Sequence, residues 1–88
     1  INSKILTYTG EIEFRAYAGS NIVRYFTIPY SIPNGYKLLG AQVKSEHINT
    51  TLFLPMYDGD ANNIYVPYYR YNGDNNEICK YTLYFTRI

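Results

Sequence analysis

The sequence predicts an all-β domain, a small antiparallel β-sandwich or jelly roll of about seven strands. Apolar and polar residues alternate with a period of two along most of the chain, as in strands that bury one face. The 88 residues include 12 tyrosines and 4 phenylalanines, and aromatic side chains fit a pleated, half-buried sheet. Glycine, asparagine and aspartate recur about every 8–12 residues, the turn spacing of a sandwich.

Alternation is clearest from Glu11 to Ala18, where even positions are apolar and odd positions are polar or amphipathic. Read in order, the same pattern predicts seven strands: Lys4–Thr9, Glu11–Ala18, Asn21–Ile28, Tyr36–His47, Thr51–Met56, Asn63–Tyr71 and Glu77–Arg87. Turn-forming residues separate these strands at 9–10, 19–21, 33–35, 58–60 and 72–76. Pro55 and Pro67 lack the N–H that a central strand donates, so both are expected at an edge or a bend. Residues 72–76 are expected to close a hairpin between the last two strands.

Length and charge restrict the class of protein. Residues 1–88 are expected to form one domain. A monomer of this size buries only ~60–65% of its unfolded surface and would be marginally stable, so we expect added stability from neighbouring chains or domains. The chain begins with Ile1 rather than Met, and we expect it to be a fragment of a longer protein or a processed product. Eight basic and seven acidic residues give a net charge of +1. The basic residues are scattered, so nucleic acid is not an expected partner. No apolar run reaches ~18 residues, so membrane insertion is not expected either.

Residues with catalytic potential lack a catalytic pattern. Ser45 and His47 could share one strand face, but no motif marks either as nucleophile or base. Cys79, the single cysteine, falls on the apolar side of the last strand, which indicates a buried, inert thiol. We therefore expect no enzyme activity and no cofactor.

One loop has a spacing that could suit calcium. Asp58, Asp60 and Asn62 follow a D-x-D-x-N pattern, which can wrap oxygen ligands around Ca²⁺. Asn63 and Tyr69 stand where a calcium loop of the EF-hand type requires glycine and glutamate. An Asx-rich turn explains the same residues. No metal site is predicted, and calcium binding by this loop remains open.

The tyrosine cluster near residue 68 is the most informative feature. In a strand, Tyr65, Tyr69 and Tyr71 point one way and Tyr68 points the other, so both faces carry a ring. Three interpretations stay open: core with ordinary surface, a subunit interface, and a platform for sugar rings. The candidate binding residues, for a glycan or for a partner chain, are Tyr57, Tyr65, Tyr68, Tyr69, Tyr71, Asp58, Asp60, Asn72 and Asp74.

Part of the chain resembles a known group of proteins. The segments Thr27-Ile28-Pro29 and Ile32-Pro33-Asn34-Gly35-Tyr36-Lys37-Leu38-Leu39-Gly40 resemble the I-P-x-G-Y-x-x-(L/I)-G stretch near the end of bacteriophage tail-fibre, baseplate and other minor structural proteins. The run Tyr81-Thr82-Leu83-Tyr84-Phe85-Thr86-Arg87-Ile88 is similar to their closing strand, and Asn63-Ile64-Tyr65-Val66 fits the region before it. The resemblance covers roughly residues 27–88.

The resemblance implies a C-terminal, homotrimeric module of a phage tail appendage. Such modules often contact host cell-wall polysaccharide or teichoic acid. Our leading hypothesis is therefore a non-catalytic host-recognition or adhesion module that binds cell-surface glycan, assembled in the bacterial cytoplasm and carried on the virion. The alternatives are a trimerisation or folding cap without a ligand, and a carbohydrate-binding module of a secreted bacterial enzyme.

Overall fold

A computed structural model describes residues 5–19, 24–57 and 62–88. These ranges contain seven strands: β1 (Ile5–Ala16), β2 (Arg24–Pro29), β3 (Tyr36–Ser45), β4 (Thr50–Leu52), β5 (Met56–Tyr57), β6 (Asn63–Arg70) and β7 (Asn75–Arg87). Over the described ranges there is no helix, and hence no helix with the length and apolar character needed to cross a membrane. The predicted all-β class is confirmed.

The strands form two antiparallel sheets. Sheet 1 has the order β1-β7-β3, and sheet 2 has β6 between β2 on one side and β4 with β5 on the other. The predicted strand 51–56 is divided into β4 and β5 by the segment 53–55, so Pro55 lies at an interrupted edge, as expected. Each predicted strand overlaps a strand of the structure, although most of the boundaries differ by one to four residues.

The core lies between the sheets and consists of alternate residues from each strand. Phe14 of β1 stacks on Phe26 of β2, with ring centroids 3.9 Å apart, and this contact joins the two sheets. The buried apolar residues are Phe14, Ala16, Ile28, Ile64, Val66, Tyr68, Cys79, Leu83 and Phe85. Because side chains alternate across a strand, the intervening residues face outward from each sheet. Each sheet therefore has its own outer face.

The predicted turn at Thr9-Gly10 is wrong, because β1 runs straight through it. Gly10 lies opposite Tyr81 of β7, and a methyl group placed on Gly10 would be 2.5 Å from Tyr81 Oη. Gly10 is thus a place where an aromatic ring approaches the backbone closely, which glycine within a strand also permits. The first two predicted strands are one strand.

Pro67 is not at a sheet edge, because β6 is the central strand of sheet 2. The Pro67 carbonyl accepts a hydrogen bond from Phe53 N at 2.9 Å, so this side of Pro67 faces the interruption between β4 and β5. The N and C=O of one strand residue point to the same side. The missing N–H therefore falls where ladder pairing is already broken, and a central strand tolerates proline here.

The predicted hairpin at 72–76 is also wrong, since β6 and β7 belong to different sheets. The connection carries the chain from sheet 2 to sheet 1, with Gly73 at a φ of 70°. Arg70, at the end of β6, pairs with the carboxylate of Glu77, near the start of β7. Thr50 Oγ1 donates to the same carboxylate at 2.5 Å. This buried ion pair links the sheets where the chain crosses.

Candidate binding face

The outer face of sheet 2 is formed by cross-strand partners that point away from the core. Tyr65 lies opposite Thr27 of β2 and Met56 of β5, and Tyr69 lies opposite Thr51 of β4. We call the set the aromatic face; its members are Tyr25, Thr27, Pro29, Thr51, Met56, Asn63, Tyr65, Pro67 and Tyr69. No residue in this set carries a formal charge.

Two tyrosines form the centre of the aromatic face. Tyr25 and Tyr65 are 63% and 38% exposed, and their rings meet edge to face with centroids 5.5 Å apart. Tyr25 is paired with Pro67, so the two rings are diagonal neighbours on adjacent strands. The edge-to-face contact orients two exposed rings before any ligand arrives, which lowers the entropic cost of binding.

Tyr68 is a correction to the predicted site. It points into the core and is 2% exposed. Its hydroxyl accepts a hydrogen bond from Tyr17 N at 3.0 Å and donates to the Arg15 carbonyl at 3.3 Å. The ring packs edge-on against Phe14. Tyr68 therefore joins β6 to the end of β1 and cannot touch a ligand on the surface.

Tyr57 is exposed but lies apart from the aromatic face. It is paired with Ile64, whose side chain is buried, so Tyr57 points towards sheet 1. Its hydroxyl donates to the Leu39 carbonyl of β3 at 3.1 Å. Tyr57 thus connects the edges of the two sheets, and Met56 takes the outward position beside Tyr65.

The remaining predicted residues are distributed between the face and the loops. Tyr65 and Tyr69 lie on the aromatic face, and Tyr71 is exposed just beyond the end of β6. Asn72 and Asp74 are exposed in the crossing loop, where Asp74 Oδ1 accepts a hydrogen bond from Ala18 N at 2.9 Å. Asp58 and Asp60, with most of the possible calcium loop, lie outside the described residues. Within the ranges that are described, no group of three or more His, Cys, Asp or Glu could hold a metal ion.

Sequence reasoning missed Tyr25 and Met56 as parts of the site. The alternation that turns the side chains of Phe26 and Ile28 inward also turns that of Tyr25 outward, so the direction of Tyr25 can be predicted from the sequence. The position of Tyr25 beside Tyr65 cannot be predicted from the sequence, because only the pairing of β2 with β6 brings the two residues together. Met56 carried no sequence signal, since it stands at the end of an interrupted strand.

The outer face of sheet 1 has the opposite character. Lys80 of β7 lies between Glu11 of β1 and Lys44 of β3, and Lys80 Nζ pairs with Glu46 Oε1 at 2.7 Å. The hydrogen bond and charge of Lys80 lower the pKa of Glu46, and the same contact raises the pKa of Lys80. We call this surface the charged face; its other members include Thr7, Thr9, Glu13, Arg15, Lys37, Gln42, Thr82, Tyr84 and Thr86.

The possible nucleophiles are not arranged for catalysis. Ser45 Oγ donates to Glu77 Oε1 at 3.4 Å, and His47 contacts Ser45 through its backbone N rather than through its ring. A serine nucleophile is activated by an adjacent general base, most often an imidazole, and the described hydrogen bonds of Ser45 reach no histidine ring. Cys79 is buried, as the sequence predicted, and burial raises the pKa of its thiol.

A groove of about 1050 Å³ lies beside sheet 1. Central residues of all three strands of sheet 1 line it, together with residues 52–55 between β4 and β5. Leu54 on its border is 86% exposed. The groove is lined by charged residues of sheet 1 (Glu11, Lys44 and Lys80) as well as by the apolar segment 52–55, which precedes Met56 in the chain.

Comparisons of the chain with protein-family models, with curated proteins and with solved structures give no match. Function is therefore inferred from the side chains of the two outer faces.

Proposed function

We propose that this domain is a non-catalytic recognition module that binds cell-surface glycan through the aromatic face. One observation carries the proposal: two exposed, mutually oriented tyrosine rings stand on an uncharged sheet face, among hydroxyl and amide side chains. A sugar ring has an apolar C–H surface and a rim of hydroxyl groups. Tyrosine rings suit the first and polar neighbours suit the second.

The resemblance of residues 27–88 to phage tail modules supports a biological setting. We propose that the module belongs to a virion appendage and that the glycan is part of the host cell wall. Labelled domain should then adsorb to intact host cells, and adsorption should decrease when purified wall polysaccharide is added as competitor.

The direct test removes the rings one at a time. Tyr25→Ala and Tyr65→Ala should each weaken polysaccharide binding roughly fivefold or more, as the loss of a stacked ring predicts. Tyr84→Ala is the matched control, because Tyr84 lies on the charged face, where its hydroxyl donates to Gln42 Oε1 at 2.7 Å. Circular dichroism and thermal unfolding establish that each variant folds. Unchanged binding by folded Tyr25→Ala and Tyr65→Ala would contradict the proposal.

A subunit contact on the same side of the molecule is the second candidate. The exposed Leu54 and Met56 offer apolar surface without hydrogen-bonding groups, which favours contact with protein. This candidate predicts a homotrimer in sedimentation experiments, dissociated by Leu54→Ser or Met56→Ser. A trimer that binds no polysaccharide would favour the cap without a ligand over the adhesion module.

A further inference from the structure

We infer that the ligand of the aromatic face is an uncharged glycan chain, and that anionic wall polymers such as teichoic acid are poor ligands. The inference rests on the proposed function and narrows its substrate class. It starts from the distribution of charge between the two sides of the sandwich. Among the described residues that point outward from sheet 2, none is Lys, Arg, Asp or Glu.

The arginines of sheet 2 are directed elsewhere. Arg24 is paired with the inward-pointing Tyr68, and its guanidinium lies over the Tyr17 ring, 5.6 Å from the centroid. Arg70 is buried and is committed to Glu77 and to Thr50, which accepts from Arg70 Nη1 at 2.8 Å. Among the described residues, an anionic polymer seated on Tyr25 and Tyr65 would therefore meet no outward-pointing cation of sheet 2, and a phosphate or carboxylate that loses water without a partner is disfavoured.

The polar groups of the aromatic face suit neutral hydroxyl partners. Thr27 stands opposite Tyr65, Thr51 opposite Tyr69, and Asn63 opposite Pro29. A threonine hydroxyl both donates and accepts, and an asparagine amide offers both kinds of group. Sugar hydroxyls require this combination, since each of them is both donor and acceptor.

The spacing of the rings favours a chain over a single sugar. Tyr65 and Tyr69 are four residues apart on β6, which at about 3.3 Å per residue separates them by about 13 Å. This distance is larger than one sugar ring. A chain that follows β6 can cover Tyr25 with Tyr65 at one end and Tyr69 with Thr51 at the other.

The test measures binding of the domain to immobilised neutral polysaccharides (a glucan, a galactan and a rhamnan) and anionic ones (glycerol teichoic acid and hyaluronan). We expect binding to at least one neutral polymer, changed less than about twofold between roughly 0.05 and 0.5 M NaCl, because no ion pair is screened. Its free oligosaccharides should compete better as they lengthen from one sugar to four. Tyr25→Ala and Tyr65→Ala should each weaken this binding roughly fivefold or more, and Tyr84→Ala should preserve it.

The other outcomes separate the two levels of the proposal. Binding to teichoic acid or hyaluronan that depends on Tyr25 and Tyr65 and decreases steeply with salt would overturn the uncharged class and leave the glycan module standing. If a single sugar competes as well as a four-sugar oligosaccharide, the inference that the ligand is a chain is wrong. Absence of binding to every polymer would overturn both levels, and self-association lost in Tyr25→Ser would then identify the face as a subunit contact.

Discussion

The two outer faces of this sandwich are built on the same strand geometry and yet differ in chemistry. On sheet 1, Lys80 sits among Glu11, Lys44 and Glu46, and its ammonium group is paired at 2.7 Å. On sheet 2, Tyr25 and Tyr65 expose their rings with no charged outward neighbour among the described residues. Interspersed charges hold water and discourage association, whereas an uncharged aromatic surface gains free energy when it is covered.

The two sheets also differ in size and in the surface that they present. Sheet 1 has the longest strands, β1 and β7, and supplies much of the core together with a solvated exterior. Sheet 2 is shorter and presents the surface that we propose for binding. Four predictions, ordered from the largest expected effect to the smallest, test the contacts that join the strands and sheets and the difference between the two outer faces.

Breaking the ion pair between the sheets should cost the most. Arg70→Met leaves the fully buried Glu77 carboxylate without its cation, and the free energy of unfolding should decrease by about 3–5 kcal/mol. The measurement is urea denaturation. The double variant Arg70→Met/Glu77→Leu should lose less than Arg70→Met alone, because no buried charge remains. A loss under about 1 kcal/mol in Arg70→Met would show that the sheets keep their places without this link.

The two sides of sheet 1 can be compared through two glycines. Gly10→Ala places a methyl group 2.5 Å from Tyr81 Oη on the inner side, so the free energy of unfolding should decrease by about 1–3 kcal/mol. Gly40→Ala is the matched control, since an added methyl group meets nothing within 4 Å. Its effect should stay within about 0.5 kcal/mol. Equal effects of the two substitutions would contradict the close approach of Tyr81 to β1.

Exchanging the character of the faces should affect binding more than folding. Tyr65→Lys removes a ring and puts a cation on the aromatic face, so affinity for a neutral polysaccharide should decrease roughly fivefold to tenfold. Thr82→Lys adds the same charge to the charged face and should leave affinity unchanged. Tyr65→Phe keeps the ring and should retain most of the binding. Isothermal titration calorimetry measures all three, and equal losses in the two lysine variants would remove the distinction between the faces.

The surface ion pair of the charged face should have the smallest effect. Lys80 lowers the pKa of Glu46. The ionised carboxylate therefore stabilises the fold at pH values above the ordinary glutamate pKa of roughly 4, and this contribution is lost as the pH falls through the lowered pKa. The raised pKa of Lys80 keeps the pair charged until strongly alkaline pH. Glu46→Gln should therefore melt slightly below the unmodified domain at neutral pH and together with it in acid. If the difference in melting temperature persists at acid pH, the effect comes from packing rather than from the ion pair.

Sequence reasoning predicted much of the candidate site because alternation is local. A strand residue and its neighbour point to opposite sides whatever the strand pairs with. Tyr65 and Tyr69 were therefore predicted to share a face opposite to Tyr68, and they do so. The same reasoning predicted a buried Cys79. Alternation does not tell which of the two faces is the core, so it could not exclude Tyr68 from the binding residues.

The alternation of apolar and polar residues does not predict which strands pair. Residues 72–76 have the composition of a hairpin loop, but β6 pairs with β2, β4 and β5, while β7 pairs with β1 and β3. Gly10 has the composition of a turn, but the ring of Tyr81 covers it within a continuous strand. Turn residues report local backbone preference, and that preference is weaker than the burial of a whole strand face.

The amino-acid order alone thus decided the all-β class, the alternation of most strand residues between two opposite faces and the lack of charge on the β6 residues that share a face with Tyr65. The tertiary structure decided which strands share a sheet, and with it the meeting of Tyr25 with Tyr65 and the separation of Tyr57 from both. The reason is physical: side-chain direction follows from the pleat of one strand, whereas neighbourhood depends on hydrogen bonds and burial between segments far apart in the chain.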